Sequence, residues 1–225
     1  MSDTRIEKFA RILVDYSTQV QPGDRVGITC TSLAIPLVKA LYGLILERGA
    51  HPYVLMDFPE QEELFYAHAR EEHFKTIPPF HKMAFEEFDV LIKARSDANT
   101  RALSQVDAAR QAQRQAGLAP LLQAQMRRGA AGSLRWMSTL FPTPAYAMEA
   151  EMGIAAYEDF FYAACAASDD VADPVAHWEA VRRQQERYIQ LLQGHDRIEV
   201  HSPNAELSLS IHGRTFVNAC GGHNM

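Results

Sequence analysis

Nine histidines and three cysteines are the side chains of this 225-residue sequence with the clearest reach toward metal or nucleophilic chemistry, and their spacing limits that chemistry. In "HAREEH", His68 and His73 stand five positions apart, about 140° around a helix, so they cannot share a ligand face as the histidines of HExxH do. A solvated pair is expected there. His201 and His212 fall on opposite strands of a predicted hairpin and could face each other, but no carboxylate pattern completes the three or four ligands of a metal site. His223 lies in the glycine turn "CGGHNM", where nothing local defines a role for it.

Cys30, Cys165 and Cys220 are odd in number, widely separated and without a CxxC pair, which indicates neither a disulfide framework nor a thiolate zinc site. A reducing compartment, the cytoplasm, is expected. No GxSxG elbow occurs, and no cysteine is tied by motif to a histidine and an orienting amide. The aromatic run "YEDFFY", Tyr157 to Tyr162, reads as helix core and flank rather than a base-stacking surface.

A nucleotide site would be sought in the turn after the first strand, where a dinucleotide fold carries GxGxxG. Here that turn is "TCTSLAIP", without glycine. Thr29, Thr31 and Ser32 at a helix N-terminus could hold an anion, although capping by Ser32 explains the hydroxyl equally well. Asp57 ends the second strand where a ribose-binding carboxylate could sit; without the glycines it reads as a loop-capping acid.

The elements that would position these residues alternate between strand and helix. Ile6, Phe9, Ile12, Leu13, Tyr16 and Val20 recur at helical intervals and the run closes at "QPGD". The strand "RVGITC", a helix stopped by Gly49 and the strand "PYVLMDF" form a βαβ unit, for which right-handed parallel pairing is the default. One helix is expected over "EQEELFYAHAREEHFKTI", another over "FHKMAFEEF", then the strand "DVLIKARSD". Residues 100 to 128 read as helix interrupted near Gly117 and Pro120, "SLRWMSTLFPTP" as a fourth strand, and 145 to 194 as wholly helical. Asp173, Pro174 and Gly194 punctuate the last helix. Beyond it, "DRIEVHSP" and "AELSLSIHG" alternate at period two about "SPNA", predicting an antiparallel hairpin followed by a strand "TFVNA".

The fold class expected is α/β: a Rossmann-like parallel sheet flanked by helices over residues 1–195, with 196–225 opening a β-rich second domain. Hydrophobic residues at 47% and charged residues at 22% fit a globular domain rather than disorder. The net charge of −6 argues against a nucleic-acid surface. Neither a signal peptide nor a membrane-spanning apolar run is present, so no membrane partner is expected.

Several stretches together resemble one family. They are "KFARILVDYSTQVQPGDRVGI" near the start, "RWMSTLFPTPAYAMEAEMGIAAYEDFFYAAC" from Arg135 to Cys165, "DPVAHWEAVRRQQERYIQLLQG" from Asp173 to Gly194, and "ELSLSIHGRTFVNACGGHNM" from Glu206 to Met225. In order and spacing they are similar to the metal-dependent aminopeptidases of peptidase family M29, the thermophilic or AmpS-type enzymes. Cys220 and His223 depart from that pattern, where aspartate and arginine would be expected. The resemblance implies hydrolysis of N-terminal peptide bonds in peptide substrates, two divalent metal ions such as zinc or cobalt, and a homodimer. It also implies that the metal ligands begin in a Pro-x-Gly-Glu segment directly after Asn224-Met225. On that expectation no catalytic, cofactor-binding or metal-binding residue is assigned within 1–225, and these residues alone are expected to be inactive. Two other readings stay open: a naturally short binding or interaction module, and a nucleotide or phosphosugar binder using the "TCTS" turn.

Overall fold

The computed structural model describes residues 3–225. Helix α1, Thr4–Arg11, starts at Asp3, whose carboxylate accepts the Arg5 amide at 2.9 Å. It passes without a break into a π-helical turn, Ile12–Ser17, so the single amphipathic helix read from the sequence has two geometries. Strand β1 (Arg25–Thr31) leads through a 3₁₀ turn, Ser32–Ala34, into α2 (Ile35–Glu47). Gly49, at φ +73°, closes α2 in the left-handed region that favours glycine. Strand β2 (His51–Asp57) follows, then α3 (Gln61–His68), α4 (Glu71–Lys75), α5 (Pro79–Glu87) and β3 (Val90–Arg95). Next come α6 (Ala108–Ala130), β4 (Arg135–Leu140), α7 (Pro144–Glu149), α8 (Ile154–Ala164) and α9 (Pro174–Leu192). The hairpin β5 (Arg197–Ser202) and β6 (Ala205–Ser210) completes the order.

The first four strands form one parallel sheet in the order β2-β1-β3-β4. This is the expected α/β architecture. Because β2 and β3 lie on opposite sides of β1, the chain reverses its winding between β1 and β3. Val26, Ile28, Val90, Ile92 and Met137 point to one face, where α1, the π-turn, α2 and α8 bury them in the main core. Phe161 and Tyr162 of α8 meet Phe9 edge-on, with centroids 5.2 and 6.2 Å away. The other face carries a smaller core of Ala84, Phe88, Leu91 and Leu134. There Gly27 admits the α5 side: a Cβ on it would stand 2.7 Å from Leu91 Cδ2 and 3.2 Å from the Phe88 ring.

Five local expectations are corrected. The helix expected across 60–77 is two, parted at Ala69–Arg70, where the Arg70 amide donates to His73 Nδ1 at 2.9 Å. Conversely α6 is unbroken through Gly117 and Pro120. Pro120 is solvent-exposed, so the carbonyl deprived of its partner meets water, and Gly117 lets α6 approach the Phe74 carbonyl so closely that a Cβ would lie 2.0 Å from that oxygen. Residues 145–194 are not wholly helical: three helices are parted after Glu149 and after Ala164, the second break falling where Ala166 adopts φ +55° and the Ala167 amide bonds back to Tyr162 O at 2.7 Å, a left-handed helix ending. Thr31, not Ser32, caps the turn into α2: its Oγ1 accepts the Leu33 amide at 3.3 Å. Finally, "TFVNA" forms no strand; the following residues instead reach β4 through a parallel bridge between Asn224 and Ser138.

Candidate functional site

The carboxyl ends of β1, β2 and β3 surround a crevice of about 600 Å³ at the point where the winding reverses, the usual place for ligands in an open α/β sheet. β1 contributes Thr29 to Thr31, the loop after β2 contributes Asp57 to Glu63, and the end of β3 contributes Lys93 to Asn99. Five carboxylates in these segments, Asp57, Glu60, Glu62, Glu63 and Asp97, outnumber the cations Lys93 and Arg95. That balance opposes a phosphate.

Of the three hydroxyls considered for anion binding, that of Thr31 is committed within the protein. Thr31 Oγ1 donates to Ser96 O at 2.7 Å and lies 2.7 Å from Ser96 Oγ, while the Thr31 amide donates to that Oγ at 3.2 Å. These bonds join β1 to the loop after β3. Asp57 acts as a loop-capping acid: its Oδ1 accepts from Gln61 Nε2 at 2.7 Å, and Gln61 Oε1 accepts the Phe58 amide at 3.3 Å. Burial first, and then the Asp57 charge, push the Cys30 thiol up to about 11, so it stays protonated near neutral pH.

The far rim is braced by the "FPTP" stretch after β4. Thr143 Oγ1 donates to Asp97 O at 2.8 Å, and Tyr146 donates its hydroxyl to Asp97 Oδ2 at 2.9 Å while accepting the Asp97 amide at 3.2 Å. Burial raises the Tyr146 phenol to about 12, which keeps it a donor. Ser96, Asp97 and Tyr146 were not singled out in the sequence. Examining every strand-to-helix loop at the winding reversal, and not the first alone, would have found Ser96 and Asp97.

The histidines are dispersed. His68 ends α3 and His73 lies on α4, so they do not share a helix. His201 pairs across the hairpin with Glu206, not with His212, because the register places His212 beyond β6; its Nδ1 lies 2.6 Å from Asp196 Oδ1 at the other end. His223 stacks on Trp136 with centroids 4.7 Å apart and planes 16° from parallel. Among the described residues no three of histidine, cysteine, aspartate and glutamate gather closely enough to hold a metal ion. The loose approaches of His201 to Glu199 (3.8 Å) and Glu206 (4.0 Å) are exposed and supply no three- or four-ligand set. These residues do not fit a metal ion. Among the described residues no helix is long and apolar enough to cross a membrane.

Residues 2–225 match the family described as thermophilic metalloprotease (M29). No curated protein matches the chain. Wild-type AmpT from Thermus thermophilus has a similar structure, with TM-score 0.74 and 18% identity over 98% of this chain and 59% of AmpT. At that identity the likeness speaks for the fold, and this chain spans about three fifths of AmpT's length. An alcohol dehydrogenase superfamily protein from Novosphingobium aromaticivorans overlaps 69% of this chain and 46% of its own at 14% identity; its TM-score of 0.27 carries no argument. With the family match running through almost every residue on a sheet of the AmpT kind, the chain belongs to the M29 thermophilic metalloproteases.

Proposed function

We propose that residues 1–225 are the N-terminal part of a metal-dependent aminopeptidase that removes residues from the N-termini of peptides in the cytoplasm. Residues 1–195 shape and support the substrate cleft; 196–225 open the catalytic domain. The enzyme works as a homodimer with two divalent ions, zinc or cobalt, whose ligands lie outside these residues, and residues 1–225 alone are inactive. The observation that carries this reading is the family match over residues 2–225 of a chain that spans only 59% of AmpT. Further support comes from the hairpin, where Ile198 and Val200 oppose Leu209 and Leu207 on one apolar face, with Val200, Leu207 and Leu209 each more than two fifths exposed. In water such a face favours a covering partner.

The test is hydrolysis of leucine p-nitroanilide with added zinc or cobalt. Purified residues 1–225 are expected to give none, and a longer polypeptide that contains them is expected to be active. Metal-stimulated cleavage by residues 1–225 would overturn the division of labour. A metal-loaded longer polypeptide without aminopeptidase activity would overturn the assignment itself.

A further inference from the structure

We propose that Cys220–Met225 is a strap docked on the open edge of β4, and that Tyr16, Ser17 and Thr139 are the positioning residues that hold it. The three hydroxyls come from parts of the sequence far from the strap, and each donates to one of its main-chain carbonyls: Tyr16 to Cys220 O at 2.7 Å, Ser17 to Gly221 O at 2.8 Å, and Thr139 to Met225 O at 2.8 Å. Main-chain bonds complete the edge. The Ser138 amide donates to His223 O at 2.9 Å, and the Met225 amide donates to Ser138 O at 3.3 Å. The strap is therefore read by its backbone, in the manner of a peptide added to a sheet edge.

Its side chains fix the seat. Cys220 is 7% exposed and belongs to the main core, against which Met225 also packs. Gly221 stands at φ +76°, and a Cβ there would meet Met225 Cε at 2.6 Å and the Trp178 ring at 3.4 Å. The π-helical turn gives this seat a purpose, since it supplies both Tyr16 and Ser17. By contrast the approach to the strap is open: Arg214, Thr215 and Val217 are exposed, the last at 79%. A tightly held segment behind an exposed span can release as one unit.

On the reading that 196–225 belongs to the catalytic part, the strap is the joint through which the parallel sheet fixes that part in place. It runs parallel to β4, toward the end of the sheet where the crevice lies.

Alkylation of residues 1–225 with iodoacetamide, followed site by site in a mass spectrometer, tests the strap directly. In the unaltered chain Cys220 is expected to react far more slowly than in urea. Tyr16→Phe and Thr139→Val are each expected to speed Cys220 labelling about tenfold, the scale of one lost hydrogen bond, and to leave Cys30 and Cys165 unchanged. Thr76→Val, whose hydroxyl bonds only to Glu72 O, is the control and should change nothing. Cys220 labelling at the urea rate in the native chain overturns the proposal. So does equal acceleration of all three thiols in both variants, which would make Tyr16 and Thr139 supports of the whole fold. In an active longer polypeptide the two variants should lower kcat with KM little changed; a KM effect alone would remove the link to catalysis. If no longer polypeptide is active while the labelling result holds, the strap stands and the peptidase reading falls.

Discussion

Strand β1, "RVGITCT", and strand β6, "AELSLS", both place apolar residues at every second position, yet their surroundings are opposite. β1 lies between β2 and β3 with helices on both faces, and Ile28 is fully buried. β6 has one neighbour, and all six of its residues are exposed. Alternation specifies which side chains could share a face. Burial, and the stabilisation it brings, comes from whatever covers that face.

The strongest way to break this contrast is to open the sheet core. Ile28→Ala should cost about 3–4 kcal/mol, read as a lowered midpoint in urea unfolding, because it leaves a cavity between α2 and the sheet. If the cost is no more than that of an equivalent hairpin variant, the sheet is not the stabilising body. A smaller effect is expected from Arg128→Met at the flank of α5. The Arg128 guanidinium donates to Phe85 O at 3.0 Å and to Phe88 O and Ser133 O at 2.7 Å, so its loss strands three carbonyls and should cost about 1–3 kcal/mol.

Alkaline pH sharpens the comparison further. Burial raises the thiols of Cys30 and Cys165 from 9.0 to about 11 and about 12. Below pH 9 both are neutral in the folded and unfolded chain, and their contribution to stability is at its full value. Above it the unfolded chain loses these protons first, so stability should fall as pH rises from 9 toward 11 and 12. Replacing Cys30 and Cys165 by alanine should flatten that decline in chemical unfolding measured across the range; an unchanged slope would assign it elsewhere. The smallest effect belongs to the hairpin: Leu207→Ser should shift stability by no more than about 0.5 kcal/mol, with no measurable change in the unfolding midpoint. A larger loss would show that the apolar face is already covered in solution, for instance by a second copy.

The same contrast explains what could be read in the sequence. The strands of the sheet and both hairpin strands are local runs with clear punctuation, and Asp173-Pro174 marks the start of α9 by its own chemistry. The break in α3–α4 and the continuity of α6 depend on a histidine accepting a main-chain amide and on the room Gly117 gives Phe74, neither of which has a periodic signature. "TFVNA" has the aromatic and β-branched residues of a strand, but no neighbouring strand receives it. "GGHNM" has no strand pattern and nevertheless lies on β4, because its partners Tyr16, Ser17 and Thr139 are distant in sequence. Of the crevice, Asp57 and the turn after β1 were legible. The brace of Asp97 by Thr143 and Tyr146 was not, since it joins residues nearly fifty positions apart.

The seat of the terminal segment has an optical consequence. The chain has two tryptophans, and they flank that segment: Trp136 lies under the imidazole of His223, and Trp178, whose indole N–H donates to Cys165 O at 2.9 Å, borders Gly221. Tryptophan emission from this chain, excited at wavelengths its eight tyrosines do not absorb, therefore arises beside residues 221–223. Its wavelength and yield would follow that one place through temperature, denaturant or a binding partner, with no dye attached.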